Sequence, residues 1–104
     1  MFTRTIRLAL KPGQGDAFPR MIGQKAVPIL QRQKGFRDDF LLLSEDGKEA
    51  VCMSIWESRE DAEAYEHSSY AEIQKLMEPF QAGPPKIDRY HVARSSVYAP
   101  AGVK

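Results

Sequence analysis

Cysteine and tryptophan each occur once in 104 residues, and histidine occurs twice. A single thiol excludes an intrachain disulfide and a multi-cysteine metal site. Cys52 lies inside "EAVCMSIW" and reads as a small core residue. Two histidines without a neighbouring acidic ligand pattern do not make a metal centre. An excess of one charge is also missing. The 15 Lys and Arg stand against 14 Asp and Glu, and the basic residues are scattered. Polyanion binding needs them clustered, so nucleic acid is not an expected partner. No apolar run nears the roughly 18 residues of a membrane helix. The start, "MFTRTIRLALKPG", alternates and carries no small-residue cleavage site. A cytoplasmic protein without a membrane partner is expected. There is no P-loop, Gly-rich dinucleotide turn or nucleophile elbow. The third strand lacks the basic and aromatic pattern of RNA-reading sheets.

What is present is periodicity. In "TRTIRLAL", Ile6, Leu8 and Leu10 alternate with Thr3, Thr5 and Arg7, the mark of a half-buried strand ended by Pro12-Gly13. Phe18, Ile22, Ala26, Ile29 and Leu30 predict a helix over roughly residues 17–33, with Asp16 as N-cap and Pro19 harmless in the first turn. Pro28 conflicts with that helix, because it removes a donor and crowds the preceding turn, so a kink is expected. "FRDDFLLLS" and "EAVCMSIW" are strands joined by a hairpin at Asp46-Gly47. Ser58 is the expected N-cap of the next helix, with Asp61 completing a capping box and the acidic residues suiting its positive end. That helical region carries Ala62, Tyr65, Ser69, Ile73, Leu76 and Phe80 on one face, can break at Ser68-Ser69, and ends at Pro79. "KIDRYHVARS" is the fourth strand. The length favours one domain, placed at 1–95, with 96–104 as a tail.

The order strand, helix, strand, strand, helix, strand is the ferredoxin-like β-α-β-β-α-β pattern of an α+β domain. Two helices cover one face of a four-stranded antiparallel sheet. The other face stays bare, and strands two and three are partly apolar on both sides. A bare apolar face invites a partner, and a homodimer packed sheet against sheet is the simplest cover.

"GQGDAF", "PILQRQKGF" and "MSIWESREDAEAYEHSSYAEI" together resemble the antibiotic biosynthesis monooxygenase-like (ABM) family of dimeric α/β-barrel proteins, over about residues 3–95. Pro12-Gly13, Gly35-Phe36, the Trp56-Glu57-Ser58 exit from strand three and the Ala62, Tyr65, Ser69, Tyr70 pattern carry the resemblance. It implies a pairing of two chains into a dimeric α/β barrel and a pocket between sheet and helices, roofed by the second helix, with Trp56 at or near the pocket. It also implies a family that includes cofactor-independent oxygenases of aromatic substrates, quinol oxygenases, haem-degrading enzymes and proteins with no known reaction. The haem-degrading branch uses a histidine late in the second helix and an asparagine early in strand one. Gln74 stands near the first position, and strand one has Thr3 and Thr5 but no asparagine, so haem is not expected.

Each candidate residue has two readings. Trp56 is core or interface packing, or a cavity wall. His67, beside the helix break, is a solvated residue or a general base, and His91 in strand four carries the same choice. Tyr65 and Tyr70 pack amphipathically or direct a hydroxyl into a pocket. Arg7 is a snorkelling surface residue, or it pairs with Asp39 or holds an anionic substrate. Asp38-Asp39 reads as a solvated strand start whose carboxylates point to opposite faces and form no dyad. The leading expectation is a monooxygenase without metal, flavin or other cofactor, acting on a small phenolic or quinol ligand, with His67 or His91 as base and Trp56, Tyr65, Tyr70 and Arg7 around the substrate. The alternatives are a non-catalytic small-molecule-binding or structural dimer, a haem-binding dimer, or an aldoxime-, lactone- or chlorite-processing enzyme on the same barrel.

Overall fold

A computed structural model describes residues 1–98 of the chain. Of the expected tail, residues 99–104 lie outside that range. The strands are β1 (Phe2–Ala9), β2 (Phe36–Leu43), β3 (Glu49–Trp56) and β4 (Lys86–His91). They form one antiparallel sheet in the order β2-β3-β1-β4. The α+β ferredoxin-like layout is therefore as the alternating pattern predicts.

The first helical segment runs through α1 (Ala17–Met21), a π-helical turn (Ile22–Ala26) and α2 (Val27–Gln31). The π turn is how the chain absorbs Pro28. The Val27 N–H donates to the Ile22 carbonyl five residues back, which widens the coil just before the proline that cannot donate. The expected kink is thus a local change of helix type. Asp16 occupies the N-cap position of α1 but makes no side-chain cap bond.

The second helical segment breaks where Ser68-Ser69 predicts, giving α3 (Arg59–Glu66) and α4 (Tyr70–Met77), followed by a 3-10 turn at Glu78–Phe80 that contains Pro79. Ser58 Oγ accepts the Asp61 N–H at 3.1 Å, the forward half of the capping box. The Asp61 carboxylate instead lies against Gly35, which has φ +80°.

Strand register divides the side chains between two faces. Phe2, Arg4, Ile6 and Leu8 of β1 share the helix-covered face with Ala50, Cys52, Ser54 and Trp56 of β3. Between Phe36 and Asp38 the β2–β3 pairing slips by one residue, a bulge at Arg37. Beyond it, Asp39 and Leu41 turn toward the helices, while Asp38, Phe40 and Leu42 turn away. The uncovered face carries Phe40 (46% exposed), Leu42 (51%) and Tyr90 (54%), beside Thr3, Thr5, Arg7, Val51, Met53 and Ile55. The partly apolar face expected from the sequence is open around Phe40, Leu42 and Tyr90, while Thr3 (9% exposed) and Ile55 (8%) on it are buried and the Tyr98 hydroxyl donates to the Asp38 carboxylate there.

Candidate functional site: a cavity under the helices

The core forms between the covered sheet face and the helices. Phe18, Trp56 and Ala62 are fully buried within it. One row of residues breaks the apolar pattern. The register aligns Asp39 of β2, Ser54 of β3, Arg4 of β1 and Arg89 of β4 directly across the sheet. An aromatic row of Phe36, Trp56, Phe2 and His91 lies on one side of it. Leu41, Cys52, Ile6 and Ile87 lie on the other.

Arg4 is a charged residue only 2% exposed. A buried guanidinium is costly unless it is paired. Its partner is Glu66 at the end of α3, with Arg4 Nε 2.7 Å from Glu66 Oε1. Arg89 grips the same carboxylate in a fork, Nε to Oε1 at 2.8 Å and Nη2 to Oε2 at 2.6 Å. The fork from Arg89, with the charge of Arg4 behind it, holds the Glu66 carboxyl below the usual range despite its burial. Two aromatic faces complete the Arg4 setting. Its guanidinium carbon lies 4.5 Å from the Tyr70 ring centre and 5.5 Å from that of Tyr65.

A cavity of about 40 Å³ opens over this row, between the sheet and both helical segments. Ile6, Ile22, Ala26, Leu30, Ile73 and Met77 form its apolar walls, while Arg4, Asp39, Ser54, Cys52 and Tyr65 contribute polar atoms. Phe40 is its one exposed lining residue, and Asp39 and Leu41 beside it are half-buried, so its mouth lies toward β2. Burial, and then the neighbouring Asp38 charge, raise the Asp39 carboxyl. The Cys52 thiol is pushed up to about 12 by burial and by Asp39. Burial also raises the Tyr65 hydroxyl, outweighing the attraction of Arg4.

The structure brings together some of the residues singled out in the sequence and separates others. Tyr65 lines the cavity, and Tyr70 packs behind it against Arg4. Trp56 is 0% exposed and outside the cavity lining. Its ring stacks on Tyr65 at 4.8 Å, and its Nε1 donates to Ser54 Oγ at 2.9 Å. It therefore backs the wall that Tyr65 presents. His67 caps the end of α3 and is exposed. His91 is also exposed, with its ring edge-on to Phe2 at 5.5 Å. Neither histidine lines the cavity. Arg7 sits on the uncovered face, opposite to Asp39, because β1 alternates and Asp39 points under the helices.

Three residues of this site escape the sequence reading. Arg4 is the even-numbered member of a strand whose even residues face the core, so the alternation itself carried that signal. Asp39 reads as solvated until the bulge is known. Glu66 gives no sign in one dimension that two arginines converge on it.

An α+β ferredoxin-like domain with a cavity beneath its helices is the class defined by this architecture. The chain belongs to the antibiotic biosynthesis monooxygenase family, whose family model matches residues 1–78. No curated protein matches it at a significant level. Among solved structures, a monooxygenase of Streptomyces coelicolor in complex with nanaomycin D superposes with a TM-score of 0.77 at 18% identity, covering 94% of this chain and 92% of that one. SnoaB, a cofactor-independent oxygenase from Streptomyces nogalater, gives 0.74 at 14% identity over 91% and 95% of the two chains. A protein of unknown function from Nitrosomonas europaea gives 0.75 at 18% identity, covering 94% of each chain. At these identities the likeness shows the fold. No helix among the described residues is long and apolar enough to cross a membrane.

Proposed function

We propose that the protein is a monooxygenase that uses dioxygen without an added cofactor, acting on a small phenolic or quinol substrate in the cavity over Arg4 and Asp39. The observation that carries this reading is a half-buried carboxylate with a raised pKa facing a buried guanidinium across an apolar space. Such a carboxylate is a better base than a solvated one, and the opposite charge favours the anion it generates. Asp39 and Arg4 lie two strands apart, about 10 Å between backbones, so one aromatic ring system spans them. In this reading Asp39 accepts the acidic proton, and Ile6, Ile73 and the Tyr65 ring exclude water and hold the ring plane. The electron-rich anion passes an electron to dioxygen, and the two radicals combine as a peroxide at the activated carbon. Loss of water leaves a carbonyl. For an activated methylene the balance is simple: one methylene and one dioxygen become one carbonyl and one water. The carbon gives up four electrons, and dioxygen accepts them. The family and the monooxygenases among the structural relatives support this class of reaction.

A ligand pocket of ordinary size holds roughly 300 Å³ or more, so entry requires the walls to part. The π turn at Ile22–Ala26 and the exposed β2 edge are the places to give, since both border the cavity. The small resting volume also favours the second reading, a non-catalytic binding or structural dimer. In both readings two chains pair through the face bearing Phe40, Leu42 and Tyr90. Sedimentation of the wild type and of Phe40→Asp tests this, with dimer and monomer expected in turn.

The deciding experiment is aerobic turnover of a hydroquinone and anthrone panel by metal-free protein. Turnover of at least one member is expected, with Asp39→Asn lowering kcat by about 10²–10⁴. A broad panel left unoxidised by folded protein would sink the oxygenase reading.

A further inference from the structure

The oxygenase reading leaves one buried charge only partly matched. Arg4 lines the cavity at 2% exposure, and its one carboxylate partner, Glu66 at 2.7 Å from Nε, is shared with Arg89, which takes both Glu66 oxygens. The Tyr70 ring packs against the guanidinium from outside the cavity lining. The cluster holds two guanidiniums and one carboxylate. Its outer arginine is half in solvent, while its inner one borders the cavity. A positive charge in surplus this deep in a core calls for an anion.

The groups facing the Arg4 end of the cavity narrow the choice. Ser54 lies across the sheet, with its hydroxyl accepting from Trp56. Tyr65 and Tyr70 present ring faces, and the Asp39 carboxylate is two strands away. A planar acceptor of single negative charge matches a guanidinium edge. A dianion would exceed the one positive charge in surplus. The cavity has room for about three water-sized groups, which suits a carboxylate and its point of attachment.

We propose that Arg4 is a carboxylate subsite, so that the cavity takes an aromatic acid in preference to a neutral ring. This rests on the cavity being the substrate site and not on the oxygen chemistry. The carboxylate sits at the inner end, and the ring runs along Ile6 and Ile73 toward Asp39. Glu66 and Arg89 are positioning residues that hold the Arg4 side chain under the tyrosines.

The test is equilibrium binding under nitrogen, which needs no turnover. Benzoate and benzamide, equal in shape and unequal in charge, are titrated against emission from the single tryptophan, whose ring stacks on cavity-lining Tyr65. Benzoate is expected to bind at least about tenfold more tightly. It should also slow alkylation of Cys52, which lines the same cavity. Arg4→Gln should abolish the preference, and Arg4→Lys should keep part of it. The wild-type comparison and the Cys52 protection decide the matter should Arg4→Gln fail to fold. Equal binding of the two probes, no binding of either, a preference that survives Arg4→Gln, or no protection of Cys52 would overturn the proposal. None of these results bears on whether dioxygen is consumed, so the subsite and the oxygenase reading fail separately.

Discussion

Replacing Glu66 by Gln isolates the energetics of the buried cluster. The substitution keeps the side chain's shape and removes one negative charge from between Arg4 and Arg89. Arg89 is half exposed and can turn to water, so its lost pair costs under about 1 kcal/mol. Arg4 has no such exit, being 2% exposed under two aromatic rings. Stranding a buried charge costs about 3–5 kcal/mol, a third or more of the roughly 5–15 kcal/mol that holds a domain folded. Urea denaturation of Glu66→Gln should therefore show a fall of about 3–5 kcal/mol, and Arg89→Gln under about 1 kcal/mol. Arg4→Met with Glu66 intact should cost less than Glu66→Gln, because Arg89 still pairs the carboxylate. The pH dependence has a definite sign. The Glu66 carboxyl is lowered in the fold from an ordinary value of 4.5. Its contribution is fully present above that value and is lost as pH falls through the lowered folded value. Glu66→Gln should flatten this part of the acid-unfolding curve. Equal, small losses for Glu66→Gln and Arg89→Gln would refute the reasoning, since Arg4 would then be reaching water.

Other expectations follow from single contacts. Ser54→Ala leaves the buried Trp56 Nε1 without its acceptor and should cost about 1–3 kcal/mol by thermal or urea unfolding. Gly35→Ala should be more damaging than its size implies. A Cβ there would collide with the Asp61 carboxylate, on a backbone in the left-handed region. A loss above about 2 kcal/mol is expected, and Asp61→Ala in the same chain should recover part of it. Cys52, with its thiol pushed up to about 12, should react with a disulfide reagent at neutral pH far more slowly in native than in unfolded protein. Comparable rates would mean that the cavity is open to reagent.

The fold was legible because period and punctuation agreed along the chain. Ile6 and Leu8 of β1 and Leu10 just beyond it are buried in alternation, Asp46-Gly47 turns the hairpin, and Ser58 caps α3. The break at Ser68-Ser69 was legible from the same kind of signal. The cavity was harder to read, because its polar members hide behind an irregular strand and a convergence of distant segments. Arg4 is not among the residues the sequence singles out, though its place beside Ile6 on the even-numbered face held the information. Asp39 depended on a bulge that no turn residue announces. The Arg4–Glu66–Arg89 cluster joins residues from the first strand, a helix end and the last strand, and only the folded register brings them together. The histidines drew notice for their titration range, a property of the residue type that says nothing about where the chain puts it.

The extra residue at Arg37 has a bearing on how relatives of this domain can diverge. Phe36 and Asp39 point the same way although they stand three positions apart, which plain alternation forbids. A relative with an unbroken strand achieves the same only with one residue fewer between its aromatic and its acid. Losing a codon there would therefore leave the inward stripe where it is. Keeping the length while straightening the strand would exchange the whole stripe between two surfaces, and Asp38 would take the inward place. Chains of equal length that line up without a gap across this strand need not present their acids to the same side.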